Sequence, residues 1–208
     1  MQPLKTGLKD ISREIAYLEA SENPLSADVG IIRDGGVTWI FDVGGNDSAA
    51  EIINGIEDEK MVVLSHFHAD HITNLDKIDC ARIYGGDFTC KKLKKGVTVD
   101  KDLYIDNVHL FPIPSTHAKG CIGLEIGNYA FLGDSTYCTG KNGGPAYNAG
   151  LLLETIKALK GLKAENFLLS HAKPFVRPRE RVIGELERIY SYRRKNEPYI
   201  FIDEILNR

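Results

Sequence analysis

The sequence has few cysteines and no pattern that would pair them. Cys80, Cys90, Cys121 and Cys138 are the four cysteines in 208 residues, and none of them belongs to a Cys-x-x-Cys motif. Four cysteines are too few to form a disulfide framework in a chain of this length. We therefore expect reduced thiols and a cytoplasmic protein.

An excess of positive charge and long apolar runs are also missing. The formal net charge is −3, which is not typical of a general nucleic-acid or membrane-surface binder. No segment approaches the roughly 18 apolar residues of a membrane span, and the amino-terminal segment lacks the apolar core of a signal peptide. With 43% hydrophobic residues, the chain is expected to form one domain over residues 1–208, with a short helical extension from about residue 175.

Short apolar runs and helical patterns alternate along the chain. The β-branched and aromatic runs predict strands at residues 15–18, 29–33, 37–41 and 61–64. Helical spacing predicts helices at residues 48–56, 87–95, 151–159 and 179–195. Asp47 or Ser48 is the expected N-cap of the first helix, and the glycine-rich residues 139–150 are expected to form a loop. The pattern indicates a mixed α/β fold in which helices cover a sheet.

The most informative stretch is LSHFHADH, residues 64–71, which directly follows the apolar run 61–64. Imidazole nitrogens and carboxylate oxygens together suit a borderline cation such as zinc. In an extended chain, side chains two residues apart point the same way, so His66 and His68 are predicted to bind one metal. Asp70 and His71 follow at once and are predicted to turn toward a second position beside the first.

Three further candidate ligands each follow an apolar strand-like run. They are His117, Asp134 and His171. Open sheets place their ligand sites at such strand ends, which favours a shared role for these residues with the His-rich motif. His109 instead lies inside an alternating run, so we expect it to be structural.

The order of these residues resembles the metallo-β-lactamase superfamily of hydrolases, from about residue 27 to residue 172. The resemblance implies a four-layer αββα sandwich. It also implies ligands for two metals: His66, His68 and His117 for one, Asp70, His71 and His171 for the other, and Asp134 bridging both. Asp42 resembles the aspartate of the family's Asp-x-Gly element, which supports the ligands without binding the metals itself.

The implied site predicts a metal-dependent hydrolase. Two divalent ions that share a water lower its pKa toward about 7, so that the bridging hydroxide attacks an ester, thioester or lactone bond of a small acyl substrate. Asp70 would hold the attacking water or pass its proton to the leaving group. Nitrogen and oxygen ligands favour zinc, while iron, manganese, cobalt and nickel stay open.

The branch of the superfamily depends on residues after Asp134. Asp134-Ser135-Thr136-Tyr137 resembles the N-acyl-homoserine lactonases, which implies that Tyr137 hydrogen-bonds the oxyanion that develops on the substrate. Residues 139–150 would then border the metals, and we expect them to form a mobile lid. Glyoxalase II shares the full ligand set but carries a sizeable helical C-terminal domain.

Other functions fit the same ligands less well. Basic residues at 91–95 and in the C-terminal helix would suit a phosphodiesterase similar to ribonuclease Z, but acidic residues dilute the second group and nucleic acid is not the expected partner. True β-lactamases generally lack the bridging aspartate, and the related non-hydrolytic di-iron proteins carry a fused flavin domain. The substrate and the oligomeric state stay open.

Overall fold

The structure is a computed structural model that describes residues 7–206, and the chain divides into two compact units. The first unit extends to Asp100 and the second begins at Lys101. Each unit combines strands with helices, which confirms the mixed α/β class. Within the described residues, no helix has both the length and the apolar character of a membrane span. A single domain over the whole chain stays a prediction.

The first unit is built on a seven-stranded sheet with the order β1-β2-β5-β6-β7-β8-β9. The unit's strands are β1 (Leu8–Asp10), β2 (Ile15–Leu18), β3 (Ser21–Glu22), β4 (Leu25–Ser26), β5 (Val29–Asp34), β6 (Val37–Phe41), β7 (Glu59–Leu64), β8 (Arg82–Gly85) and β9 (Val97–Thr98), of which β3 and β4 form a separate two-stranded sheet. Its helices are α1 (Asp47–Asn54), α2 (Ala69–Ile72) and α3 (Asp87–Leu93), and a 3-10 helix spans Thr73–Lys77. The strands from β6 to β9 run parallel, and those from β1 to β6 are antiparallel.

Two local signals explain how this unit forms. Gly35 and Gly36 have φ angles of 60° and 88°, which glycine adopts without strain, and they close the hairpin between β5 and β6. Helix α1 buries an apolar face that includes Ile52 and Ile53. Its N-cap is Asn46, whose side chain accepts a hydrogen bond from the Ala49 amide at 2.8 Å. The predicted N-caps, Asp47 and Ser48, are therefore wrong because the helix begins earlier.

The second unit contains a six-stranded sheet with the order β10-β11-β12-β13-β16-β17 and a three-stranded sheet with the order β14-β15-β18. Its strands are β10 (Leu103–Ile105), β11 (Val108–Ile113), β12 (Cys121–Ile126), β13 (Tyr129–Gly133), β14 (Thr139–Lys141), β15 (Gly144–Asn148), β16 (Asn166–Leu169), β17 (Val176–Pro178) and β18 (Tyr199–Phe201). Its helices are α4 (Ala149–Gly161), α5 (Arg179–Ser191) and α6 (Ile202–Leu206). Strands β13 and β16 are parallel, so their carboxyl ends lie side by side.

The glycine-rich residues 139–150 are not a loop, and that prediction is wrong. They form a β-hairpin of β14 and β15, which continues into α4. Gly143 and Gly144 have φ angles of 116° and 111°, so the glycines serve the turn. Strand β15 also pairs with β18, about fifty residues later in the chain. The C-terminal segment thus contains the strands β17 and β18 as well as the predicted helices.

Candidate metal centre

In the first unit, the candidate ligands follow strand β7. Its parallel neighbour β6 ends beside the end of β7. Phe41 at the end of β6 is paired with Val63 in β7, and the Asp42 amide donates to the Val63 carbonyl at 2.8 Å. The chain beyond β7 therefore begins beside Asp42. This segment leads into helix α2. His68 is the N-cap residue of α2.

The four side chains of the LSHFHADH stretch converge. The ring of His66 has its centroid 4.4 Å from that of His68 and 4.2 Å from that of His71. One oxygen of Asp70 lies 3.5 Å from Nε2 of His71. His66 and His71 are fully buried, whereas His68 and Asp70 are partly exposed. Histidine and aspartate side chains at such spacing make this cluster a candidate metal site.

Asp42 is hydrogen-bonded to Ser65 and to one histidine of the cluster, His71. The buried carboxylate accepts bonds from the amide and the hydroxyl of Ser65, both at 2.7 Å. Its Oδ2 also lies 2.7 Å from Nδ1 of His71. A carboxylate only accepts, so His71 carries its proton on Nδ1, and its Nε2 keeps the lone pair that a metal needs.

Ser65 extends this effect to a second histidine, and the sequence analysis did not single it out. The Ser65 hydroxyl has one proton, which it donates to Asp42. Its oxygen lies 3.0 Å from Nδ1 of His66 and accepts that ring's proton. The Nε2 of His66 is then also the ligand atom. A hydroxyl residue directly before the first motif histidine is the signal that would have drawn attention to Ser65.

In the second unit, the parallel strands β13 and β16 bring two candidate ligands together. Asp134 follows β13 and His171 follows β16 after one intervening residue, and the Ser170 amide donates to the Gly133 carbonyl at 3.2 Å. The Oδ2 atom of Asp134 lies 4.0 Å from Nε2 of His171. The Asp134 side chain is 8% exposed and that of His171 is 30% exposed.

His117 faces the same carboxylate oxygen. Its Nε2 lies 3.3 Å from Oδ2 of Asp134, and its Nδ1 donates to the Cys138 carbonyl at 3.3 Å. Ser115 holds the backbone at His117 in place. Its hydroxyl donates to the Ser135 carbonyl at 2.8 Å and accepts from the His117 amide at 3.1 Å. One oxygen of Asp134 thus lies between two histidine Nε2 atoms, a position suited to a bridging ligand.

Two other side chains near this cluster have different surroundings. The hydroxyl of Tyr137 donates to the Ser170 carbonyl at 2.5 Å, directly before His171. Burial raises the pKa of the Cys138 thiol, and a protonated thiol is a poor metal ligand.

His109 lies apart from the candidate ligands within its unit. Its ring nitrogens lie 3.0 Å from Glu125 and 3.2 Å from Asp102, and the ring stacks on Tyr104 with 4.3 Å between centroids. Glu125 also accepts bonds from the amides of Lys163 and Ala164. His109 therefore belongs to a hydrogen-bonded network that holds the sheet to the turn after α4.

Comparison with known proteins shows a match in fold and none in sequence family. No protein-family model and no curated protein matches the chain. A motif mutant of a metallo-β-lactamase from Cronobacter sakazakii matches with 16% identity and a TM-score of 0.64, covering 90% of this chain and 96% of that one. The mono-zinc form of the metallo-β-lactamase FIM-1 from Pseudomonas aeruginosa matches with 15% identity and a TM-score of 0.66, covering 92% and 98%.

A flavo di-iron protein mutant from Thermotoga maritima also matches, with 14% identity and a TM-score of 0.66, covering 92% of this chain and 64% of that one. At these identities the similarity establishes the fold alone. The chain has the metallo-β-lactamase fold, and the predicted fold class is confirmed.

Proposed function

We propose that the protein is a hydrolase that binds two divalent metal ions and cleaves an ester, thioester or lactone bond of a small acyl compound. The observation that carries this proposal is the convergence of histidine and carboxylate groups in each unit, with their rings held so that Nε2 faces the neighbouring ligands. The fold similarity is consistent with this proposal, because metallo-β-lactamases match the chain over about nine tenths of its length.

The donor set fits two metal ions of the zinc type. The proposed ligands are five histidines and two aspartates, with no thiolate: His66, His68, Asp70, His71, His117, Asp134 and His171. When bound, such ions supply Lewis acidity that lowers the pKa of water and polarises a substrate carbonyl. Zinc is proposed as the metal, and elemental analysis of protein purified without added metal tests both identity and number.

Asp70 is the proposed proton carrier of the reaction. It stands at the start of α2, partly exposed, with one oxygen facing His71, and a carboxylate at such a position can hold a water or protonate a leaving group. We expect Asp70→Asn to lower kcat by about 10²- to 10⁴-fold. Asp47→Asn, at an exposed position of α1, should leave kcat unchanged. Metal content measured on the same samples separates a proton role from a ligand role. Wild-type turnover in Asp70→Asn contradicts both.

Tyr137 has two possible roles that one variant separates. The proposed role is a hydrogen bond to the substrate oxyanion, although in the structure the hydroxyl donates to the Ser170 carbonyl. If Tyr137→Phe lowers kcat/KM while both metals stay bound, the hydroxyl acts on the substrate. If the variant instead loses metal, Tyr137 positions His171.

The acyl bond is proposed over a phosphodiester because acidic residues neutralise part of the basic C-terminal segment. Arg177 and Arg181 both contact Glu185, and Arg194 contacts Glu197. A glyoxalase II-like or lactonase-like specificity remains our proposal, as does a cytoplasmic location. The deciding experiment is a panel of lactones, thioesters, esters, phosphodiesters and a chromogenic β-lactam, each with and without chelator. Hydrolysis that persists after complete metal removal contradicts the proposal.

A further inference from the structure

The lining of an open groove in the first unit includes one of the candidate metal ligands. The groove has a volume of about 610 Å³ and is lined by residues of α2, the 3-10 helix and α3. His68 is one of its lining residues. Binding sites for small molecules usually have volumes of about 300–1,000 Å³, so the groove is large enough for a substrate.

Part of the groove lining is apolar. Phe67, Ile72, Leu75 and Leu93 contribute to it. The Phe67 ring lies 4.8 Å from the ring of Phe88, which is 40% exposed, so the apolar surface continues past the groove. An apolar surface of this kind gains stability when a hydrocarbon chain covers it, because both lose contact with water.

The rim of the groove carries one positive charge without an acidic partner. Lys92 has its Nζ 4.3 Å from the centroid of the Phe67 ring, and no carboxylate of the described residues pairs with it. Two lysines near it are neutralised, since Lys91 pairs with Asp87 and Lys95 pairs with Asp76. An anionic ligand group would therefore meet a net positive charge at Lys92.

We propose that this groove binds an acyl compound with an apolar chain and an anionic group, carboxylate or phosphate. The chain lies along Phe67, Ile72 and Leu93, and Lys92 pairs with the anion. This inference rests on the proposed function for its link to catalysis, because a ligand in a groove that His68 lines would lie beside a proposed metal ligand. It narrows the substrate class from acyl compounds in general to amphipathic anions.

The test measures binding to metal-free protein by calorimetry, with four ten-carbon probes below their micelle concentrations. The probes are decanoate, decyl phosphate, 1-decanol and decyltrimethylammonium. We expect the better of the two anions to bind about fivefold more tightly than the alcohol, as for one exposed ion pair, and the cation to bind most weakly. Shortening decanoate to octanoate should weaken binding by about 16-fold, or about fourfold per methylene.

Variants assign the site. Lys92→Met keeps a flexible apolar side chain against Phe67 and should remove the preference for anions while leaving decanol binding unchanged. Leu93→Asp should weaken every probe. The matched control is Lys91→Met, which removes an equal charge from the same helix outside the groove lining. Failure of both anions to bind more tightly than decanol, no binding by any probe, or equal effects of the two lysine variants would overturn the proposal.

The result is independent of hydrolysis because no metal is present. Anion binding by a protein that hydrolyses nothing would leave the groove proposal standing and remove the proposed function. Hydrolysis by a protein that fails the binding test would do the reverse. A tighter complex with decyl phosphate than with decanoate would identify phosphate as the anionic group.

Discussion

Replacing Asp42 with asparagine tests whether one buried carboxylate sets the metal affinity of the first cluster. Asp42 has a φ angle of 59°, and asparagine tolerates this left-handed conformation about as well as aspartate, so the change adds no backbone strain. The asparagine oxygen can still accept from the Ser65 amide. Its NH2 group, however, would face Nδ1 of His71, the nitrogen that carries the proton in the wild-type protein.

The structure leaves His71 two responses, and both weaken the site. If the ring keeps its proton on Nδ1, two donors face each other and one charge-assisted hydrogen bond is lost, at a cost of about 1.5–3 kcal/mol in folding stability. If the proton moves to Nε2, stability is largely kept, but the ligand lone pair is lost. Loss of such a supporting group typically lowers metal affinity by about 10- to 100-fold.

The assay is a competition titration of zinc against a chromophoric chelator, combined with thermal unfolding of the metal-free protein. Imidazole nitrogen chemical shifts of His71 report which nitrogen carries the proton. Glu125→Gln is the matched control, because Glu125 is also a buried carboxylate that accepts backbone amides and faces a histidine, His109. We expect both variants to lose stability but only Asp42→Asn to lose zinc affinity. Wild-type zinc affinity in Asp42→Asn would refute the reasoning.

Three further outcomes follow from the contacts. Gly44→Ala should lower the free energy of unfolding by about 2–4 kcal/mol, since φ is 68° and the new Cβ would lie 2.6 Å from Oγ of Ser26. Gly35→Ala, at φ 60° with open space around it, should lower the free energy of unfolding by only about 1–2 kcal/mol. Denaturant unfolding measures both losses, and equal losses for the two variants would contradict the clash expected at Gly44. Partial burial raises the pKa of Glu185, but hydrogen bonds led by Arg177 outweigh it and lower that pKa. The stability from this pair is therefore present at neutral pH and lost as the pH falls through the folded-state pKa. Glu185→Gln should thus lower the free energy of unfolding by less than about 1 kcal/mol at pH 7 and leave it unchanged in strong acid. A stability difference between variant and wild type that stays constant with pH would contradict this role of the ion pair. Finally, chelation should lower the Tm measured by calorimetry, because a metal that binds the folded state alone stabilises it; an unchanged Tm indicates that the clusters hold no metal.

The positions of the candidate ligands were accessible from the sequence because they depend on a local rule. A ligand that directly follows an apolar strand lies at the carboxyl end of that strand, and parallel neighbours bring such ends together. The pairing of Phe41 with Val63 and of Gly133 with Leu169 follows this rule in the two sheets. Strand boundaries and the order of candidate ligands were therefore enough to predict which residues to examine.

The features that the sequence did not reveal depend on distant or directional contacts. The hairpin after Tyr137 is completed by Ile200, whose pairing with Tyr147 crosses about fifty residues, so its glycines looked like a loop. The role of Ser65 depends on the direction of a single hydroxyl proton, which no spacing pattern encodes. The groove beside His68 likewise depends on the packing of three short helices.

Backbone conformation supports the view that both clusters are built for a purpose other than stability. Asp42 and His171 adopt left-handed φ angles of 59° and 62°, and each stands just beyond a parallel strand. Such a conformation costs an L-residue other than glycine about 1–2 kcal/mol, and it persists where surrounding contacts enforce it. At Asp42 three hydrogen bonds do so, and at His171 the preceding carbonyl is held by Tyr137. A glycine would remove the strain at either position but would also remove the ionisable side chain. The strain is therefore best explained by the need to keep a carboxylate and an imidazole at these two points.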